Sequence, residues 1–294
     1  MINDDKVAPD FFPISRELTF ELFSLDAKKR HAEDSAGRSL GYADKHTIID
    51  LEADWGKLQQ SSIWKYNKEN TEEKIAIAED VFGDIIPVVC KNENMRWFFM
   101  PTKDIVDMMG LEKMLYSMYD YPDLFKELMS RIVKDRLAYA KWLENEKLLD
   151  LNNGNDYVGS GSYGFTDELT KTERGKVGAP LLKDLWLNIN SQESVGISPD
   201  MYHEFVYPYY EEMAKEFGLT YYGCCEPVHD VWDSCLKDMP NLRKVSISAW
   251  CNEEIMGERL RGSNVIYSRK PSPNFIGVEK NFDGEYLENT YPRH

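Results

Sequence analysis

Apolar residues recur along this chain with two different periods. From Asp120 to about Asn145 they return every three or four positions, at Leu124, Leu128, Ile132, Leu137, Ala140 and Leu143. That spacing predicts one long amphipathic helix, with Pro122 in a first turn where no N–H is needed from it. A second helix is expected to open at Ser198-Pro199-Asp200, which supply a capping hydroxyl, a first-turn proline and an acid near the positive end of the dipole. Met201, Phe205, Met213 and Phe217 would line its buried face and Gly218 would end it. Pro208 inside that helix predicts a kink.

The rest of the pattern is shorter. Residues 148–153, Leu-Leu-Asp-Leu-Asn-Asn, read as a strand ending in amides. The last third then alternates: strand 219–225, helix 227–237, strand 244–250, helix 252–260, strand 264–270. Strands separated by helices of this length imply βαβ units and a parallel sheet. Residues 1–40, interrupted by Pro9 and Pro13, read as an irregular arm. With no linker or repeat after it, 41–294 is expected to be one domain.

Composition narrows the functional classes. The chain has 294 residues, 42% hydrophobic and 29% charged, which suits a globular protein and the size of a single (β/α)₈ barrel. Asp+Glu is 51 against Lys+Arg 35, a net charge of −16. Such a surface repels nucleic-acid phosphates and anionic membranes. No apolar run approaches a membrane span, and the acidic start lacks a signal sequence. Five cysteines in such a chain suggest a reducing, cytoplasmic setting with free thiols. Cys90 and Cys235 stand in apolar patterns and are expected in the core; His31, His46 and His203 are isolated.

The candidate chemistry sits where the strands are expected to end. The strand at 219–225 ends in Cys224-Cys225-Glu226, with His229 just beyond. The next ends in Trp250-Cys251, and the last in Arg269-Lys270. The earlier one ends in Asn152-Asn153, with Asp156 nearby. In a parallel barrel such ends share one mouth. Cys224, Cys225, Glu226, His229 and Cys251 offer soft sulfur and nitrogen donors of the kind zinc prefers, or equally two small strand residues and a helix cap. Pro227 is expected to start a helix that stands Glu226 and His229 together over the mouth. Asn152, Asn153, Asp156, Trp250, Arg269 and Lys270 could orient a polar or anionic substrate, although Asn and Asp also serve turns. Gly159–Gly164 spells GxGxxG without a flanking strand–turn–helix, so it reads as a substrate loop rather than a dinucleotide site.

These segments carry a resemblance. The runs SQESVGISPDMYHEFVYPYY (191–210), LTYYGCCEPVHDVW (219–232), KVSISAW (244–250) and YSRKPSP (267–273) resemble the uroporphyrinogen decarboxylase superfamily, closest to its corrinoid-linked methyltransferase branch. The resemblance implies an α/β TIM-barrel fold over about 41–294, incomplete at the C-terminal end because the strand pattern runs out near Val278. Residues 282–294 read only as the start of a helix. It implies a demethylase-type methyltransferase that moves a methyl group between a small methylated compound and a corrinoid-binding protein, with zinc assisting. Glu226 and His229 would be catalytic, alongside the metal set above. The branch's His-x-Cys pair is broken here, since Cys224 falls on its cysteine and Tyr222 on its histidine. The alternatives are a uroporphyrinogen decarboxylase-like lyase, for which residues 1–40 lack the Arg-rich motif, or a non-catalytic small-molecule-binding barrel.

Overall fold

A computed structural model describes residues 8–25, 29–44, 46–58, 61–92, 96–274 and 284–285. The strands among them are β1 (Phe12–Ile14), β2 (Glu17–Glu21), β3 (Lys29–Glu33), β4 (Ser39–Asp44), β5 (Ile63–Asn67), β6 (Val88–Cys90), β7 (Trp186–Ile189), β8 (Leu219–Tyr222), β9 (Leu242–Ile247) and β10 (Ile266–Arg269). The helices are α1 (Lys68–Phe82), α2 (Pro101–Met109), α3 (Leu111–Asp120), α4 (Pro122–Asn145), α5 (Glu173–Lys176), α6 (Pro199–Phe205), α7 (Tyr207–Glu216) and α8 (Glu253–Leu260). Among these residues no helix is long and apolar enough to cross a membrane.

The long helix forms as its spacing predicts. In α4, Leu128, Ile132, Ala140 and Leu143 are buried, and Pro122 occupies the first turn. The second helix opens with the Ser198 hydroxyl accepting from the Met201 amide. It breaks outright at Val206, and Pro208 restarts the chain as α7. A proline in the second helix's first turn removes no ladder bond, so a break there costs less than a kink inside one helix.

β7–β10 form a parallel sheet in the order β10-β9-β8-β7. This is a mixed α/β fold, but among the described residues the strands do not close into a complete barrel. β1 pairs with β6 in a separate parallel ribbon, while β2 with β5 and β3 with β4 form antiparallel ones. The stretch read as an irregular arm therefore contributes strands. The strand expected at 148–153 is absent. The Asn152 carboxamide takes its place on the free edge of β7, accepting from the Trp186 amide at 2.9 Å and donating to the Trp186 carbonyl at 3.0 Å. A side-chain amide carries the same donor and acceptor as a peptide, so Trp186 is satisfied without a strand, and the Phe99 backbone bridges Ile189 further along the same edge. The helix start read at 282–294 lies outside the described residues apart from 284–285.

The helix expected at 227–237 is also replaced. Pro227 has ψ 85°, outside the helical range, and only a 3₁₀ turn at Val228–Asp230 and another at Leu236–Asp238 form. Val228 and Trp232 still bury into the main core. The shorter helices at 253–260 and the strands at 242–247 and 266–269 match the alternation read from the sequence, trimmed at their ends.

Parallel sheets are usually apolar on both faces. Here only one face is. Leu187, Ile189, Tyr222, Val245 and Ile247 join the main core with residues of α4 and α7. The alternate positions mix polar and apolar residues: Asn188, Asn190, Lys244, Ser246, Ser248, Ser268 and Lys270, with Trp186, Leu219, Tyr221 and Ile266. Val158 and Leu169 pack with Trp186, Leu219 and Tyr221 at the amino end of that second face. The glycine-rich run lies on it too: a Cβ at Gly159 would come within 2.3 Å of the Tyr221 ring, so only glycine permits this approach.

Candidate functional site

β8 ends at Tyr222, and Gly223 turns the chain with φ +102°, a conformation that favours glycine. The strand's alternation stops there. Cys224 and Cys225 no longer point to opposite faces, and their sulfurs lie 3.6 Å apart. Cys224 is buried and Cys225 is exposed. All five cysteines are free thiols.

The turn bearing this pair is held from every side. Glu226 accepts from the Cys224 amide at 2.8 Å and from the Ser191 amide at 3.0 Å, so one carboxylate ties the end of β8 to the end of β7. The Cys224 carbonyl accepts from Ser246 of β9 at 2.8 Å and from the Lys270 ammonium at 2.9 Å. The Cys224 thiol donates to Ser160 of the glycine-rich loop at 3.5 Å. Burial pushes the Glu226 carboxyl up, opposed by the amides it accepts from. Burial and then the Cys224 sulfur push the Cys225 thiol up. Burial pulls the Lys270 ammonium down, against the sulfurs and the carboxylate around it.

The other expected ligands are turned elsewhere. His229 accepts from the Asn252 amide through Nδ1 at 3.2 Å, and its Nε2 lies 3.4 Å from Asp230. It thus docks against the start of α8 and does not stand beside Glu226 over the mouth, because no helix begins at Pro227. Cys251 is buried, 3.7 Å from the Glu226 carbonyl and 3.6 Å from the Ser248 hydroxyl. Among the described residues no three of His, Cys, Asp and Glu stand together in a group that could hold a metal ion. Trp250 projects from the same rim and is exposed.

The expected substrate contacts divide by strand end. Lys270 belongs to the rim. Arg269, its neighbour, faces the other way and pairs with Glu253 of α8 at 2.6 Å. Asn152 lies at the opposite, amino end of β7 through its bonds to Trp186. Asn153 donates to the Leu169 carbonyl at 3.1 Å, and Asp156 pairs with Lys91 at 2.6 Å. None of these bonds involves the thiols.

Sequence reading passed over several residues of this face. Asn188 and Asn190 are buried, and the carboxamide oxygen of each has no hydrogen-bond partner. Lys244 is buried and donates to the Ser162 hydroxyl at 2.9 Å and the Tyr163 carbonyl at 2.7 Å, with its ammonium over the Trp186 ring. The signal was present: Asn188 and Asn190 alternate with Leu187 and Ile189, as Lys244, Ser246 and Ser248 alternate with Val245 and Ile247. Polar alternation in a parallel strand marks a face that lines something other than core.

A cleft of 730 Å³ lies elsewhere, lined by Phe20, Phe98, Asp104 and Arg136 among others. In it Arg136 binds Asp104, and its guanidinium lies 4.0 Å from the centre of the Phe98 ring.

No family model matches the chain, and no curated protein matches it either. Among solved structures it is similar to a methyltransferase from Methanosarcina mazei, at 14% identity over 86% of this chain and 62% of that chain, with a TM-score of 0.45. The chain thus spans less than two thirds of that protein's length.

Proposed function

We propose that this protein is a methyltransferase acting on a small methylated compound, with its site at the carboxyl ends of β8, β9 and β10. The observation supporting this reading is the convergence of the Cys224–Cys225 dithiol, Lys270 and Ser160 on one rim of a sheet whose adjoining face is polar. Ligand sites in α/β folds gather at such strand ends. The resemblance of 191–273 to corrinoid-linked methyltransferases supplies the reaction class.

The chain's own groups would bind and orient. Lys270 gives one of its three N–H donors to the Cys224 carbonyl, which leaves two for an anionic or polar substrate group. Trp250 offers an exposed ring at the rim. Zinc belongs to the proposal through the two thiols. Thiolates at 2.3 Å from a tetrahedral zinc stand about 3.8 Å apart, close to the observed sulfur spacing. Two of four positions are thereby accounted for, and zinc there would supply Lewis acidity toward a departing heteroatom. A corrinoid on a partner protein would supply the methyl-exchanging cobalt.

The test is methyl transfer to free cob(I)alamin, followed by its visible spectrum, with methylated thiols, amines and methoxy compounds as donors. Substrate-dependent conversion by the wild type, lost in Cys225→Ser, is expected. No conversion with any donor class would overturn the reading. Metal analysis of the same protein is expected to give about one zinc, removed by Cys224→Ser and by Cys225→Ser.

One observation favours a second reading, a binding protein without chemistry. Glu226, His229 and Cys251 all use their polar atoms in bonds within the fold. Tight substrate binding without methyl transfer would select it.

A further inference from the structure

The Cys224–Cys225 pair has a chemistry of its own, which does not depend on methyl transfer. Two outcomes compete for adjacent thiols: they join each other, or they chelate a third atom. A disulfide requires the sulfurs to close from 3.6 Å to about 2.05 Å. The peptide between these residues is held against that movement. Its carbonyl is gripped by Ser246 and Lys270, and the amide on the other side of Cys224 is gripped by Glu226. A bridging atom needs no such closure, since it accepts the sulfurs near their present spacing. The exposed Cys225 gives it a path from solvent.

The donor count then selects the bridging atom. The described residues bring no third His, Cys, Asp or Glu to the pair in a group that could hold a metal ion. A zinc ion here would have to take half of its ligands from water or substrate. An atom that forms two bonds to sulfur and carries its remaining substituent with it is fully served.

We propose that Cys224 and Cys225 form a chelating site for monosubstituted trivalent arsenicals, compounds R–As(OH)₂ with R a small alkyl or aryl group. Two As–O bonds break and two As–S bonds form. Each hydroxide leaves as water with the proton of one thiol. Arsenic remains trivalent, no electron is transferred, and no oxidant or reductant is required. The immobilised turn makes the second As–S bond intramolecular, so chelation should exceed attachment through one thiol by about 100-fold or more in affinity.

The site predicts a preference. Inorganic arsenite keeps a hydroxyl after two thiols have bound and gains nothing from Cys251, which is engaged with Glu226 and Ser248. It is therefore expected to bind more weakly than the monosubstituted compound.

The experiment uses the full chain, purified metal-free under reducing conditions and titrated with phenylarsine oxide. Intact mass and thiol titration give the stoichiometry. The expected result is one arsenical per chain with two thiols lost, resistant to excess monothiol and reversed by 2,3-dimercaptopropanol. Digestion should place the adduct on the peptide containing residues 224 and 225. Cys224→Ser and Cys225→Ser are each expected to weaken binding about 100-fold, while Cys90→Ser, Cys235→Ser and Cys251→Ser leave it unchanged. If a serine variant unfolds by circular dichroism, the wild-type adduct map decides alone. An adduct located on other cysteines, removal by monothiol, or arsenite binding as tightly as phenylarsine oxide would overturn the proposal.

Discussion

Lys244 is a lysine buried without an acid. It sits under the glycine-rich loop, among the Trp186 and Tyr221 rings, and its bonds go to neutral oxygens. Burial alone pulls its pKa from 10.5 down to about 8. The consequence for stability has a definite sign. Below pH 8 the lysine is charged in both states and the fold bears the full cost of burying it. Between pH 8 and 10.5 the unfolded chain still holds a proton that the folded chain has lost, so stability rises with pH. Tyr221, the titratable group facing it, is itself held above its usual value by burial and stays protonated over most of that window. Urea unfolding of wild type and Lys244→Met should therefore diverge in favour of the wild type by about 3 kcal/mol across that range. A constant difference would show that the ammonium is better solvated than its surroundings indicate. Glu226 has the opposite character, since its charge is fully used. In Glu226→Gln an NH₂ group would face a backbone N–H, and a loss of about 1–3 kcal/mol is expected in the same assay.

At the scale of elements, the amino end of β7's outer edge depends on one side chain, while Phe99 bridges Ile189 at its other end. Asn152→Ala would leave the buried Trp186 amide and carbonyl without partners, a cost of about 2–4 kcal/mol in chemical denaturation. Asn152→Asp keeps the acceptor and loses the donor, so it should fall between. Equal stability of Ala and wild type would mean that water or another group satisfies the edge. This contact also shows what a sequence can display. The period of α4 was readable because Leu124, Leu128, Ile132, Leu137, Ala140 and Leu143 all answer to the same neighbouring core. The Ser198 cap and the break near Pro208 were readable because they act within a few residues. Asn152 was not, since a carboxamide standing in for a strand depends on what lies 34 positions away. Pro227 misled for the same reason: it suits a first turn, but the carboxylate beside it is drawn to amides at the ends of two strands. The two thiols were legible as chemistry. Their convergence was not, because it requires β8 to end three residues early, before a glycine with positive φ.

At the scale of the molecule, a parallel sheet divides two environments. One face is a continuous core shared with α4 and α7, and the other carries asparagines, serines and lysines under a glycine-rich loop. The strand ends divide again. The amino end is closed by Trp186, Leu219, Leu169 and Val158, while the carboxyl end presents the dithiol, Lys270 and exposed Trp250. The proposed function accordingly uses one rim only. The sequence's four polar strand ends anticipated this gathering, although the 152–156 group proved to belong to the other end. A paired comparison of methyl transfer to cob(I)alamin tests this assignment most directly. Cys225→Ser changes the rim, and Glu168→Gln changes the surface pair with Arg243 at the amino end of β9. The account predicts that Cys225→Ser lowers kcat/KM by about 100-fold, near 3 kcal/mol of transition-state stabilisation, while Glu168→Gln stays within about twofold of wild type. Wild-type activity in Cys225→Ser, or a loss in Glu168→Gln as large as that at the rim, would contradict it.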